Sequence, residues 1–294
     1  IQQLFSENKI STNDVAIAVT GNSVIIKKLK MNLIGDEDDL FANIEMEAQS
    51  QIPYDISEVY LDFQVLNQEE VTEGMMDVLL VAAKKDRVED FKAVVVQAGK
   101  NPAVVDVDSF CVQNAFTENY EIFPDQVTAL VNIGAAVTNI NILQGGQSLF
   151  WRDLPTGGNQ VSEAIQKEFH VTFEVAEVLK RGEAAEGYDF NQVAPTVKRV
   201  LDEILQEIKK TFDFFRNTHG VDRIDKVLVS GGTTKTLNFE KVFGTRFEIP
   251  VEKLDPFKGV FIHERNFNLE SLNDLKPTCA VAVGLAMRKL GDRS

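Results

Sequence analysis

The sequence predicts an α/β protein built in two parts, and three observations carry that reading. The chain has 294 residues, enough for about two domains. Runs of period two, rich in Val, Ile and Phe, alternate along it with amphipathic runs of helical period. The third observation is ALVNIGAAVTNINIL at 129–143, inside a span from Gln126 to Trp151 that holds no charged residue. A membrane helix needs about 18 to 20 consecutive apolar residues, and Asn132, Gly134, Asn139 and Asn141 break this one too often. It reads as two central strands of a buried sheet joined at a glycine turn.

IQQLFSE reads as the last turns of a helix, DVAIAVTG (14–21) as a strand ending in a turn glycine, and SVIIKKLKM (23–31) as a second strand. GDEDDLFANIEMEAQSQIP (35–53) is an acidic-fronted helix, because carboxylates in a first turn complement the helix dipole, and Pro53 ends it. VYLDFQVL (59–66) and MDVLLVAAK (76–84) are strands joined by a polar, Glu-rich loop. RVEDFKAVVVQAGK (87–100) is a helix with Gly99 near its end, and PAVVDVDSF (102–110) a further strand. Strand, helix, two strands, helix and strand make a module of about the ferredoxin-like kind.

From Val127 the pattern changes to a three-stranded meander, VTALVNI, VTNINIL and SLFWRDL. GGNQVSEAIQKEF (157–169) opens a helix straight after a double glycine. TFEVAEVLKRG (172–182) is a short helix capped by Thr172. A long amphipathic helix is expected to follow Pro195, with Val197, Val200, Leu201, Ile204, Leu205, Ile208, Phe212 and Phe215 on one face. KVLVSGGTTKTLNF (226–239) is a buried strand, a glycine turn and a helix start. RFEIPVEKL holds a small strand, and PTCAVAVGLAMRKL (277–290) is a final helix with small residues for close packing.

Composition excludes several classes. A net charge of −15 argues against a nucleic-acid or anionic-membrane surface, since both polyanions are bound with Lys and Arg. No segment approaches the apolar length that a membrane-spanning helix needs, and no signal peptide is expected. Cys111 and Cys279 lie far apart in apolar contexts and are expected as reduced thiols of a cytosolic protein. Three scattered histidines without a CxxC predict no zinc site.

Three glycine turns are the candidate chemistry: Asn132-Ile133-Gly134-Ala135-Ala136, Gly157-Gly158-Asn159 and Ser230-Gly231-Gly232-Thr233-Thr234-Lys235. Glycine lets backbone N–H groups approach phosphate oxygens, and a helix N-terminus adds partial positive charge. Each alone is equally a tight turn between strand and helix. Together, in this order, they resemble the phosphate-2 turn, the interdomain hinge and the adenosine turn of the actin-like ATPase superfamily, in which two lobes clamp a nucleotide. PTCAVAVGLAMR, with Ala280, Ala282 and Gly284, and VVDVDSFCVQNAF (104–116) resemble that superfamily's hinge helices. Ala176-Glu177-Val178-Leu179-Lys180 resembles the segment that meets ribose and base, and it also fits an ordinary solvated helix face.

One branch is closer. IEMEAQSQIPYDISEVYLDFQVLN, DVLLVAAKKDRVEDFKAVVVQAGKNPAVVDVDSF and LPTGGNQVSEAIQ resemble the PilM-type pilus-assembly proteins, relatives of the cell-division protein FtsA, over nearly the whole chain. The resemblance implies an actin-like fold with an inserted α/β subdomain. Residues 1–21 and 105–125 would form the first-lobe core, 22–104 the insertion, 126–162 and 226–294 the second-lobe core, and 163–225 with part of 240–260 its outer subdomain. It implies ATP or ADP with Mg2+ as cofactors. Asn132, Gly134, Ala135, Ala136, Thr138, Gly157, Gly158 and Asn159 would lie at the phosphates, and Glu177, Lys180, Gly231, Gly232, Thr233 and Lys235 at the ribose and adenine.

The implied role is a cytoplasmic ATP-binding adaptor of the type IV pilus platform, at the inner membrane through a partner. That partner is PilN, a single-span protein whose N-terminal cytoplasmic tail is the ligand. Other platform and motor proteins and self-association complete the implied contacts. Two features depart from the family: its opening strand and Asp-x-Gly-Ser turn are absent from this sequence, and Asn132 stands where ATPases usually carry Asp. An amide cannot act as a base, although it accepts a hydrogen bond from a magnesium-bound water, so hydrolysis is expected to be slow or absent. Two alternatives stand beside this reading. One is an FtsA-like filament former, and the other a small-molecule kinase, for which Asp106 or Asp108 would have to be the acid.

Overall fold

The computed structural model describes residues 1–32, 37–66, 74–263, 268–289 and 291. The chain divides into two compact units, Ile1–Val107 with Arg288–Ser294, and Asp108–Met287. In the first unit α1 (Gln2–Glu7) precedes β1 (Asp14–Val19) and β2 (Val24–Asn32), followed by α2 (Glu37–Gln51), β3 (Val59–Leu66), β4 (Met75–Lys84), α3 (Lys85–Gln97) and β5 (Asn101–Val107). Gly35 and Asp36 of the expected acidic helix front, and residues 67–73 of the expected Glu-rich loop, lie outside the described residues.

β2, β4 and β3 form an antiparallel sheet with β4 in the middle. Alternation decides its buried face. Leu29 and Met31 of β2, Met76, Val78, Leu80 and Ala82 of β4 and Val59 of β3 turn to one side, where Leu40, Ile44 and Ala48 of α2 and Ile52 just after it cover them. The ferredoxin-like expectation of one sheet holding all four strands is not met. β5 pairs in parallel with β1, Ala16 to Val19 opposite Val104 to Val107, so its apolar run serves a separate two-stranded sheet. The strand also ends at Val107, and Asp108 already opens a helix. Asp106, a candidate kinase acid, is 8% exposed and forms an ion pair with Arg288 at 3.1 Å.

The second unit runs α4 (Asp108–Asn119), β6 (Val127–Ile133), β7 (Thr138–Gln144), β8 (Gln147–Leu154), α5 (Gly158–Phe169), α6 (Phe173–Lys180), α7 (Phe190–His219), β9 (Lys226–Ser230), α8 (Phe239–Phe247), β10 (Val251–Lys253), α9 (Leu269–Leu275) and α10 (Ala280–Ala286). The five strands order as β10-β9-β6-β7-β8. The meander is antiparallel, while β9 joins β6 and β10 joins β9 in parallel. A sheet covered on both faces wants continuous apolar strands rather than alternating ones, and every residue of β6 is buried. This accounts for the charge-free stretch.

One face packs on α5 to α8. All eight apolar positions expected on the long helix are buried there, beside Val161, Ile165, Leu179, Phe239 and Phe243. Each such side chain contributes about 1.5–3 kcal/mol of transfer free energy. The helix begins earlier than expected, at Phe190. Asp189 caps it by accepting the Gln192 N–H, and the Gln192 side chain answers on the Asp189 N–H. Pro195 therefore lies inside the helix, where it removes one backbone donor but leaves the cap intact. The turn after β9 is a 3-10 segment, Gly232–Lys235, and α-helix resumes only at Phe239.

On the other face α4 and α10 pack on Leu130, Leu143 and Leu228 through Val112, Phe116 and Ala280. The two helices touch at Gly284, where a Cβ would overlap the Cys111 carbonyl. Both cysteines are free thiols. Gly284→Ala inverts the usual sign of a helical Gly→Ala change, which favours Ala by about 1 kcal/mol. Overpacking costs about 1–3 kcal/mol, and urea denaturation is expected to show a net loss.

Candidate functional site

The three glycine turns meet at one end of the second unit's sheet, where β6, β8 and β9 finish and β7 begins. β6 and β7 are joined by Gly134 to Val137, closed by the Gly134 N–H on the Val137 carbonyl at 2.9 Å. β8 runs into Gly157 and α5. The Gly134 carbonyl accepts the Gly158 N–H at 2.9 Å and the Thr233 hydroxyl at 2.8 Å, and the Ala135 carbonyl accepts the Asn159 N–H at 2.8 Å.

This contact leaves no room for side chains. A Cβ on Gly157 would stand 2.6 Å from the Gly134 oxygen, and one on Gly158 2.5 Å from the Thr233 hydroxyl. On Gly231 it would overlap the Ile133 carbonyl, and the residue's φ of 92° already favours glycine. The Gly231 N–H is held by the Pro277 carbonyl at 2.7 Å.

α6 ties the second and third turns together. Lys180 is 5% exposed, and its ammonium meets the Ser162 hydroxyl at 2.9 Å, the Gly158 carbonyl at 3.4 Å and the Glu177 carboxylate. Its backbone carbonyl accepts the Leu237 N–H at 3.2 Å. Ser162 also donates to Glu177. Burial works to raise the Glu177 pKa, but the hydrogen bonds from Lys180 and Ser162 and the charges of Lys180 and Arg181 outweigh it and hold the carboxyl below its ordinary range.

The sequence-predicted residues thus divide. Asn132, Gly134, Gly157, Gly158, Lys180, Glu177, Gly231 and Thr233 lie in one connected cluster. Ala135, Ala136 and Gly232 are exposed on its outer side, and Asn159 is half-buried. Thr138 is fully buried and spends its hydroxyl on the Thr156 carbonyl at 2.9 Å, which fastens β7 to the end of β8. Lys235 pairs with Asp274 at 2.9 Å. The first N–H groups of α5 face the Gly134 and Ala135 carbonyls, so the exposed backbone of this site is that of Ala135, Ala136 and Gly232.

Ser162 and Asp153 were not singled out in the sequence, while Ser230 was named only as part of the third turn and Asn139 only as an interruption of the apolar stretch. Ser162 lies one helical turn after Gly158, on the face of α5 that looks at α6. Asn139 stands opposite Asn132 across the β6–β7 pair, a match that follows from folding the strands back at Gly134. The side chains of Asn132, Asn139 and Ser230 are hydrogen-bonded.

The site is thus a set of glycine turns interlocked too closely for a Cβ, bordered by the exposed Ala135, Ala136 and Gly232 and by the buried Lys180 with its Glu177 partner. Among the described residues no group of three His, Cys, Asp or Glu side chains could hold a metal, and no helix is long and apolar enough to cross a membrane.

The fold is that of an actin-like α/β protein. The sequence matches the family described as Type IV pilus assembly protein PilM over residues 1–290. The structure superposes on a chain of the PilM-PilN type IV pilus biogenesis complex with a TM-score of 0.87 and 26% identity, covering 99% of this chain and 84% of that one. Looser overlaps are found with the ethanolamine utilization protein EutJ of Carboxydothermus hydrogenoformans (20% identity, 68% and 60% of the two chains, TM-score 0.49) and with MreB 5 of Spiroplasma citri bound to AMPPNP (14%, 70% and 64%, 0.46). This chain belongs to the PilM family of type IV pilus assembly proteins.

Two outcomes follow from the ion pair. Lys180→Met is expected to destabilise the protein by about 2–3 kcal/mol, less than the ~3–5 kcal/mol of a fully buried pair because Glu177 keeps some solvent contact. Lys198→Met, on an exposed pair, should cost below about 0.5 kcal/mol in the same chemical-denaturation assay. Because the folded pKa of Glu177 is lowered, its stabilisation is complete above the ordinary Glu value, about 4.3. It is lost as pH falls through the folded value. The stability gap between wild type and Glu177→Gln should therefore be full at pH 6 and close towards pH 3.

Proposed function

We propose that this chain is a nucleotide-binding adaptor of the type IV pilus platform and that it holds the N-terminal cytoplasmic tail of a PilN-type membrane protein. The observation that carries this reading is the match to a chain of the PilM-PilN type IV pilus biogenesis complex across 99% of the present chain, together with the PilM family match. Attachment to the inner membrane would then run through the partner. A net charge of −15 fits this, since anionic lipid repels such a surface.

ATP or ADP is the ligand proposed for the glycine turns, with Mg2+. Ala135 and Ala136 would offer backbone N–H groups to the phosphates, and Gly232 would lie at the ribose and adenine. Glu177, Lys180 and Thr233 would shape the ribose side. Asn132 would accept a hydrogen bond from a magnesium-bound water, and the metal would supply charge neutralisation of the phosphates. We also propose the subdomain division stated above: 1–21 with 105–125, 22–104, 126–162 with 226–294, and 163–225 with part of 240–260. In that division α4 and α10 would be the hinge helices.

Titrating the protein with a synthetic peptide copying the cytoplasmic tail of a PilN-type partner is expected to give micromolar binding, with and without Mg-ATP. No binding in either state removes the adaptor reading. Hydrolysis should be slow, because Asn132 supplies no base. Turnover in the range of ordinary kinases, about 1 to 100 per second, would overturn that expectation.

A further inference from the structure

We propose that Asp153 is a positioning residue: it orients a chain of buried side chains across four strands so that Asn132 turns its amide oxygen to the third glycine turn. Ser230, Asn132, Asn139 and Asp153 stand side by side on β9, β6, β7 and β8 as successive cross-strand neighbours. The Ser230 hydroxyl donates to Asn132 Oδ1 at 3.1 Å, Asn132 Nδ2 to Asn139 Oδ1 at 3.0 Å, and Asn139 Nδ2 to Asp153 Oδ1 at 2.8 Å. Ser230 is 0% exposed, Asn139 3% and Asn132 9%, so water cannot replace a wrongly paired partner, and a mismatch is costly.

The direction of the chain follows from what each group can do. An amide presents an acceptor on one side and a donor on the other, so two amides in a row have two self-consistent orientations. A carboxylate only accepts. With Asp153 at one end, Asn139 must aim Nδ2 at it and Oδ1 at Asn132. Asn132 must then aim Nδ2 at Asn139, which leaves its oxygen toward Ser230. That oxygen lies 2.9 Å from where a Cβ on Gly231 would be. Asp153, two strands away, thereby decides which atom of Asn132 the turn receives.

The same logic explains why an amide, not a carboxylate, occupies position 132. Asp at 132 would bring a second acceptor against Asn139 Oδ1, and Asn139 cannot turn round while Asp153 holds its nitrogen. Replacing Asp153 by Asn frees the chain to reverse. Asn139 then donates to the carboxylate at 132, and Asn at 153 donates to Asn139.

A double-mutant cycle on the nucleotide-free chain tests this. Asn132→Asp alone is expected to lower the folded-to-unfolded ratio in urea about tenfold or more. In the Asp153→Asn background the same change should cost below about threefold, because the conflict is gone. Equal losses in both backgrounds overturn the proposal. Should Asn132→Asp not fold, the double variant must fold, and failure of both also overturns it. The second readout is the side-chain NH2 resonances of Asn132 and Asn139 by 15N NMR in Asp153→Leu. Both should move, since the orientation is transmitted; a change at Asn139 with Asn132 unmoved overturns it.

What Asn132 then does for a magnesium-bound water rests on the nucleotide reading above. In wild type, no measurable Mg-ATP affinity would remove that reading while the cycle still decides the orientation.

Discussion

The Gly134 carbonyl, accepting both the Gly158 N–H and the Thr233 hydroxyl, is the contact on which the rest of the site depends. It draws together three turns that are far apart in the chain. The approach is too close for any Cβ on the facing residues, so the glycines are needed for space more than for flexibility. The strand order makes the contact possible. With β6 central and β7 and β9 on either side of it, the ends of the parallel β6 and β9 and the start of the antiparallel β7 lie at one end of the sheet, and α5 starts there from the end of β8.

Around that contact the protein manages buried polarity in two ways. On one side a lysine, a serine and a glutamate close on one another and on the Gly158 carbonyl, so that a buried ammonium finds acceptors. On the other side amides and a hydroxyl cross the sheet and end on a carboxylate. Both devices act on rigid elements, a helix and a sheet, which keep a site more precisely than loops do. Together they brace the turns from the two faces of the unit, with no charge placed in the sheet's centre.

Much of the fold was legible in the sequence because its signals are local and periodic. The meander, the double-glycine helix start and the buried face of α7 follow from spacing alone, and the capping box at Asp189 explains why α7 starts before Pro195. The partnership of β5 was not legible. An apolar run says that a strand forms, but not which edge it joins, and here it is β1 rather than the β2-β4-β3 sheet. Within the site the glycines announced themselves, whereas Ser162 and Asp153 did not, since a serine or aspartate next to a helix or turn is common.

By itself the sequence determined that three glycine turns exist, that one is flanked by an amide instead of a carboxylate, and that the strands carrying them are buried. These are properties of residue type and period. Only the tertiary structure decided that the turns interlock, that Lys180 answers to Ser162 and Gly158, and that Asn132 is oriented from Asp153. Each of those joins residues tens of positions apart across neighbouring strands or helices, and hydrogen-bond direction is set by partners that strand order and register bring side by side.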